Sequence, residues 1–544
     1  MESIEIVLVM LTAVIASGYV VRMLPFSLPL PLVQIAMGAL ISGAFGHGVV
    51  LEPKIFFLLF LPPLLFLDGW RIPKDGLLRD KAVILQLALG LVLFTVVGVG
   101  FLIHWMIPVM PLPVAFALAA IISPTDPVAV SSITARVPIP KRLMHILEGE
   151  SLLNDASGLV CFRFAVAAAL TGGFSLFSAS LTFFWVALAG LAIGVGVTLA
   201  VTYAQGWLST KFGEEAGSPI LISLLTPFAA YLVAERLQAS GILAAVAAGI
   251  TMSYVELRGR ALASTRMRRA AVWDTVQLAL NGIVFVLLGE QLPDILRGAV
   301  TSVRQSGHLN PWWLAVYALV IVLGLGALRF IWVWTSLRLS PFNPLHRGER
   351  KNAPNLRLVV ATSLAGVRGA VTLAGVLTLP LLMPDGTPFP ARELAVFLAT
   401  AVILLSLAIA SIGLPRILQG LEVPPEPAER LEEDRARREA AIAAVGAVEK
   451  ARTALPHEPA EADIYTAAAA RVLESYQRRL DGGASAEAGA AQLREAEKAE
   501  RTMRLAGLRA ERDAIFEMAR HSRISDATSR KLVREIDLME SRYR

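Results

Sequence analysis

The sequence predicts an all-α polytopic membrane protein of about thirteen transmembrane helices, followed by a helical, charged tail. Three observations predict it. Of the 544 residues, 55% are hydrophobic and 17% charged, a balance more apolar than a soluble domain of this size needs for its core. Apolar runs of about 18 to 25 residues recur from Ile4 to about Leu418, each long enough to cross the hydrocarbon core as a helix. From Gln419 to Arg544 the chain is charged and carries no such run. Two domains follow: a transmembrane domain, 1–418, and a cytoplasmic charged helical tail, 419–544.

Spans are expected near 4–22, 28–46, 52–68, 81–106, 111–134, 146–170, 176–204, 218–236, 239–255, 275–292, 311–335, 355–381 and 389–417. The N-terminus has acids at Glu2 and Glu5 and lacks the basic start and small-residue cleavage site of a signal peptide, so the first span is expected to stay. Loops after odd-numbered spans hold most of the basic residues, among them Arg71, Lys74, Arg79, Arg136, Arg266, Arg268, Arg269, Arg347 and Arg350. Loops after even-numbered spans hold only Lys54, Arg236, Arg297, Arg304 and Arg392. The positive-inside bias then puts the N-terminus outside and the tail in the cytoplasm of a multi-pass protein of the cell inner (plasma) membrane. It also accounts for the net charge of +6 without nucleic acid as a partner.

The tail suits charged helices at Ala428 to Lys450, Ala467 to Leu480 and Ala488 to Ala519, with a break at Asp481-Gly482-Gly483. Pattern alone leaves open whether these helices regulate, stabilise a dimer or merely solvate. The single Cys161 lies in an apolar run, which rules out an intrachain disulfide and any Cys-based metal or redox site.

Polar residues interrupt three spans. In the fifth, Ser123-Pro124-Thr125-Asp126-Pro127 sets an acid between two prolines. Each proline lacks an N–H and pushes the residue before it out of the helical region, so the helix is expected to unwind there rather than only kink. Unwound backbone at membrane depth is tolerated only against protein or a water-filled cavity, where its carbonyls can ligate a cation. The sixth span opens Glu148-Gly149-Glu150-Ser151-Leu152-Leu153-Asn154-Asp155. At 100° per residue Glu150 stacks under Asn154 and Ser151 under Asp155, giving a polar stripe whose oxygens suit a hard cation. A charge at helix centre costs about 2.5 to 3.5 kcal/mol on insertion scales, so Asp155 is a functional candidate, while Glu148 can reach the interface. The twelfth span carries Gly366-Val367-Arg368-Gly369, an arginine that needs an acidic partner, beside glycines that permit distortion. The broken fifth and twelfth spans match if spans 1–6 and 8–13 are inverted repeats. Asp68, near the end of the third span, either lines an ion pathway or caps the helix. Arg163, Glu235 and Arg329 are expected to form structural pairs, with no transport role.

Together, Thr125-Asp126-Pro127, Glu150-Ser151-Leu152-Leu153-Asn154-Asp155, Gly366-Val367-Arg368-Gly369-Ala370 and the Pro62-Pro63 to Gly69 stretch resemble the motifs of the monovalent cation/proton antiporters, in particular the bacterial electroneutral branch of the sodium/proton exchangers. The resemblance covers the chain through about residue 418. It implies that Asp155 is the main ion and proton carrier, that Asp126 and Ser151 are ligands, and that Thr125 offers its carbonyl and hydroxyl. It implies further that Asn154 steadies the site, that Glu150 pairs with Arg368, and that spans 4–6 and 11–13 move against a dimerisation domain. Asn154 stands where charge-moving relatives carry a second aspartate, which points to electroneutral exchange.

The function expected is therefore antiport of Na⁺ or Li⁺ for H⁺, with K⁺/H⁺ antiport by the same fold as the alternative and a cation channel or membrane sensor behind it. No cofactor is expected beyond the transported ions; the expected partners are monovalent cations, protons, the bilayer and a second copy of the chain. An enzyme is not expected, since Gly149-Glu150-Ser151-Leu152-Leu153 lacks the second glycine of a nucleophile elbow.

Overall fold

A computed structural model of the protein describes residues 2–24, 28–45, 53–72, 80–134, 141–172, 176–213, 217–256, 263–305, 312–339, 356–419, 427–454, 467–474, 476–477, 487–521, 523–524 and 526–543. The chain forms two compact units, Met1–Val423 and Pro424–Arg544. The first contains α1 (Glu2–Met23), α2 (Leu30–Phe45), α3 (Pro53–Arg71), α4 (Lys81–Met106), α5a (Leu112–Ile122), α5b (Pro127–Thr134), α6 (Lys141–Thr171) and α7 (Leu176–Phe212). It continues with α8 (Ser218–Arg236), α9 (Gly241–Glu256), α10 (Ala263–Gln305), α11 (Trp312–Leu339), α12a (Leu356–Leu364), α12b (Ala370–Leu377) and α13 (Arg392–Leu418).

Each expected span coincides with one helix or, at the fifth and twelfth, with two half-helices. Among the described residues eight helices are long and apolar enough to cross a membrane: α1, α4, α6, α7, α8, α10, α11 and α13. The helices overrun the apolar runs in places. α10 spans Ala263–Gln305 where hydropathy marks only 275–292, because its Ala- and Arg-rich flanks keep helix propensity after they lose hydrophobicity. The basic loop residues Lys74, Arg79, Arg136, Arg347 and Arg350 lie outside the described residues, as does Asp481-Gly482-Gly483.

The helices of this unit sort into two groups. Helices α4, α5, α6, α11, α12 and α13 pack chiefly on one another, as do α1, α2, α3, α7, α8, α9 and α10; α10 against α13 is the main contact between the groups. Glycines set the tightest contacts within the second group. A Cβ on Gly38 would lie 1.9 Å from the Val286 carbonyl oxygen, and one on Gly289 would lie 1.9 Å from that of Ile35, so α2 and α10 touch backbone to backbone. Gly249 meets Phe66 in the same way between α9 and α3. In lipid, where apolar burial drives helix association little, such close approach is what dispersion requires.

In the second unit, α14 (Pro427–Ala454) precedes α15 (Glu487–Arg520) and α16 (Asp526–Tyr543). The last of these was not separated by the sequence pattern. Its Ile536 buries with Leu508 and Ile515 of α15, and Arg512 of α15 pairs with Asp537 and Glu540 of α16.

Candidate functional site

The two interrupted helices meet. α5a ends at Ile122 and α5b restarts at Pro127; α12a ends at Leu364 and α12b restarts at Ala370 behind an extended Gly369. Half-helix ends leave carbonyls without intrahelical donors, and at membrane depth these need partners from the protein. Each break supplies the other. The Asp126 N–H donates to the Val367 carbonyl at 2.7 Å, so it is not available to Ile122 four residues back. The Arg368 Nε donates to that Ile122 carbonyl at 2.8 Å, and its guanidinium also donates to the Gly366 carbonyl. The Arg368 N–H is taken by Ser406 Oγ of α13 at 3.2 Å. Gly369 presses on the site: a Cβ there would fall 1.9 Å from Asp126 Oδ2.

The polar stripe of α6 divides between two faces. Ser151 and Asp155 line a cavity, whereas Glu150 and Asn154 turn to the α5 break. Asn154 Nδ2 donates to Thr125 Oγ1 at 3.0 Å, and Thr125 Oγ1 lies 3.4 Å from Glu150 Oε1. Glu150 does not form the expected ion pair with Arg368 but pairs with Arg329. Both Glu150 oxygens are held by Arg329 of α11, from Nη1 at 2.5 Å and Nη2 at 2.7 Å, with side chains only 1% and 3% exposed. Arg329 Nε adds a bond to the Thr362 carbonyl at 3.0 Å, which ties α11 to α12a. Arg368 is instead committed to the carbonyls freed by the broken helices. Arg329 therefore has a place in the site's framework that the sequence reading did not give it; the remaining two charges, Arg163 and Glu235, approach each other at 3.5 Å.

The cavity, about 60 Å³, lies between the two helix groups. The first group contributes Thr125, Asp126, Ser151, Asp155, Gly369 and Thr372; the second contributes Asp68 with the apolar face of α3, and Gln277, Asn281 and Val284 of α10. Three carboxylates, Asp68, Asp126 and Asp155, thus share one space. Asp68 lines it rather than only capping α3. Gln277 and Asn281 are site residues that sequence reasoning missed, although two amides one helical turn apart in an apolar run were a legible signal. Arg71, one turn beyond Asp68, donates to Gln277 Oε1 at 2.7 Å and pairs with the exposed Asp274.

The family model described as "Sodium/hydrogen exchanger, transmembrane" matches residues 8–420. The chain is 42% identical to the uncharacterized Na(+)/H(+) exchanger YjcE of Escherichia coli (strain K12), over 99% of each protein. It is 44% identical to the sodium, potassium, lithium and rubidium/H(+) antiporter of Bacillus pumilus, over 76% of this chain and 61% of that relative. Among solved structures, the sodium proton antiporter MjNhaP1 from Methanocaldococcus jannaschii aligns with a TM-score of 0.59 at 18% identity, covering 77% of this chain and 99% of that one, a likeness of fold. By the span of the family match and by overall identity to its relatives, this chain belongs to the sodium/hydrogen exchanger family, whose members are membrane antiporters and not enzymes.

Proposed function

We propose that this chain exchanges Na⁺ or Li⁺ for H⁺ across the cell inner membrane, one for one, by alternating access at Asp155 and Asp126. The observation that carries this reading is the cavity between two helix groups that gathers three carboxylates at the crossing of two interrupted helices. A carboxylate stripped of water favours the protonated form, whereas a bound cation favours the charged form, so the two compete for one site. Asp155 is the carrier, with no protein hydrogen bond or ion pair on its carboxylate among the described residues; Asp126, Ser151 and the Thr125 carbonyl complete the cation shell. Asn154 fixes Thr125 from behind, and Glu150 with Arg329 and Arg368 hold the two breaks in place. When only the occupied, neutralised site can cross between the sides, rocking of one helix group against the other gives obligatory exchange.

The protein works as a homodimer, with its N-terminus outside and the 419–544 tail cytoplasmic, where the tail regulates or stabilises the dimer. The basic loops support this orientation. A second reading, exchange of K⁺ as well, is favoured by the name of the Bacillus pumilus relative, which covers potassium and rubidium. Reconstituted protein offered Na⁺, Li⁺ and K⁺ in turn against a pH gradient tests both readings. Collapse of the gradient by Na⁺ and Li⁺ alone supports the first, collapse by K⁺ too supports the second, and no collapse by any of them defeats both.

A further inference from the structure

Resting on that reading, we infer that the side-chain carbonyl of Asn281 is a neutral cation ligand that serves only one side of the membrane, so that the affinity of the antiporter differs between its two faces. Asn281 lines the carboxylate cavity, and no hydrogen bond or ion pair engages its amide among the described residues. It sits one turn from Gln277, which lines the same wall but whose Oε1 is already bound by Arg71. Gln277 is thereby braced and Asn281 is free to turn its oxygen to a cation.

Two properties make this residue suited to that role. An amide oxygen adds a ligand for a hard cation without adding charge, so it tightens binding without changing how many protons compete. Asn281 also stands on α10, in the group of α1 to α3 and α7 to α10, while Asp126, Ser151 and Asp155 stand in the other group. Motion of one group against the other, the step that exposes Asp155 to the opposite face, carries Asp126 and Asp155 away from Asn281. The amide then contributes when the cavity reaches the end of α3 and α10 marked by the exposed Arg71–Asp274 pair, and not when it faces the other way.

The test compares Asn281→Ala with the native chain in everted and right-side-out membrane vesicles, with Na⁺ titrated against a fixed pH gradient. The half-saturating Na⁺ should rise about tenfold, equal to about 1.4 kcal/mol of binding, in the orientation that presents the Arg71 end to the added Na⁺, and stay within about twofold in the other. The steady-state Na⁺ gradient should not move, because a ligand alters rates and affinities and leaves the exchange stoichiometry alone. Asn281→Asp should shift the same side in the opposite direction. Equal shifts on both sides, or none on either, overturn the inference. So does an Asn281→Ala protein that melts like the native one yet transports on neither side, since loss of one neutral ligand leaves the carboxylates in place. Failure of the native chain to exchange Na⁺ at all refutes the functional reading instead, which keeps the two failures apart.

Discussion

Removing Arg329 should destabilise the membrane unit more than removing any other single charge near the cavity. Arg329→Met strips two hydrogen bonds, at 2.5 and 2.7 Å, from a Glu150 carboxylate that is 1% exposed, and a third, at 3.0 Å, from the Thr362 carbonyl. Breaking a buried pair by deleting one partner costs about 3 to 5 kcal/mol, because the other charge stays behind without compensation. Replacing both partners with apolar residues of similar volume is often neutral, so Glu150→Leu with Arg329→Met should regain most of the loss. Thermal unfolding of detergent-purified protein measures this, with the four proteins of the double-mutant cycle compared under one condition. A large drop for each single variant and recovery in the double is the expected pattern. If Arg329→Met melts with the native protein, or if the double variant loses the sum of the singles, Glu150 and Arg329 are not the pair that holds α6 to α11. The same cycle with Arg368 in place of Arg329 should show the weaker coupling, since Arg368 spends its donors on backbone carbonyls.

Three further outcomes are expected. Asp155→Asn and Asp126→Asn should each abolish Na⁺-driven collapse of a pH gradient in proteoliposomes while leaving the melting temperature near native, because each removes a charge from the cavity and not from the framework. Gly369→Ala should cut transport severely, as its Cβ would fall 1.9 Å from Asp126 Oδ2, whereas Gly326→Ala, with nothing within 4 Å of its Cβ, should transport at the native rate. In the tail, Arg512→Ala should speed backbone hydrogen exchange across 526–543 in the full chain, because Arg512 links α15 to Asp537 and Glu540 of α16.

The fold was legible where local chemistry dictates it. Pro124 and Pro127 around Asp126 announce backbone that cannot stay helical, Gly366 and Gly369 around Arg368 permit distortion, and both helices break there. Helix limits were less legible, because hydropathy registers lipid and not helicity; α10 outlasts its apolar core at both ends. The partner of Glu150 was not legible at all. It lies 179 residues away on a helix whose arginine has no local signature, and the nearer-seeming choice, Arg368, is diverted by the orphan carbonyls that the breaks themselves create. That diversion follows from tertiary crossing, which no single stretch of sequence carries.

Exchange of one cation for one proton at Asp155 is tested most directly by steady-state exchange under a clamped membrane potential. One net charge moved per cycle would couple to the potential by about 2.3 kcal/mol per 100 mV, or about fiftyfold in the Na⁺ gradient. Proteoliposomes held at constant ΔpH should reach the same Na⁺ gradient at every imposed potential, and Asp155→Asn should build none. A gradient that follows the potential, or Na⁺ flux in Asp155→Asn without proton movement, would contradict one-for-one exchange at Asp155.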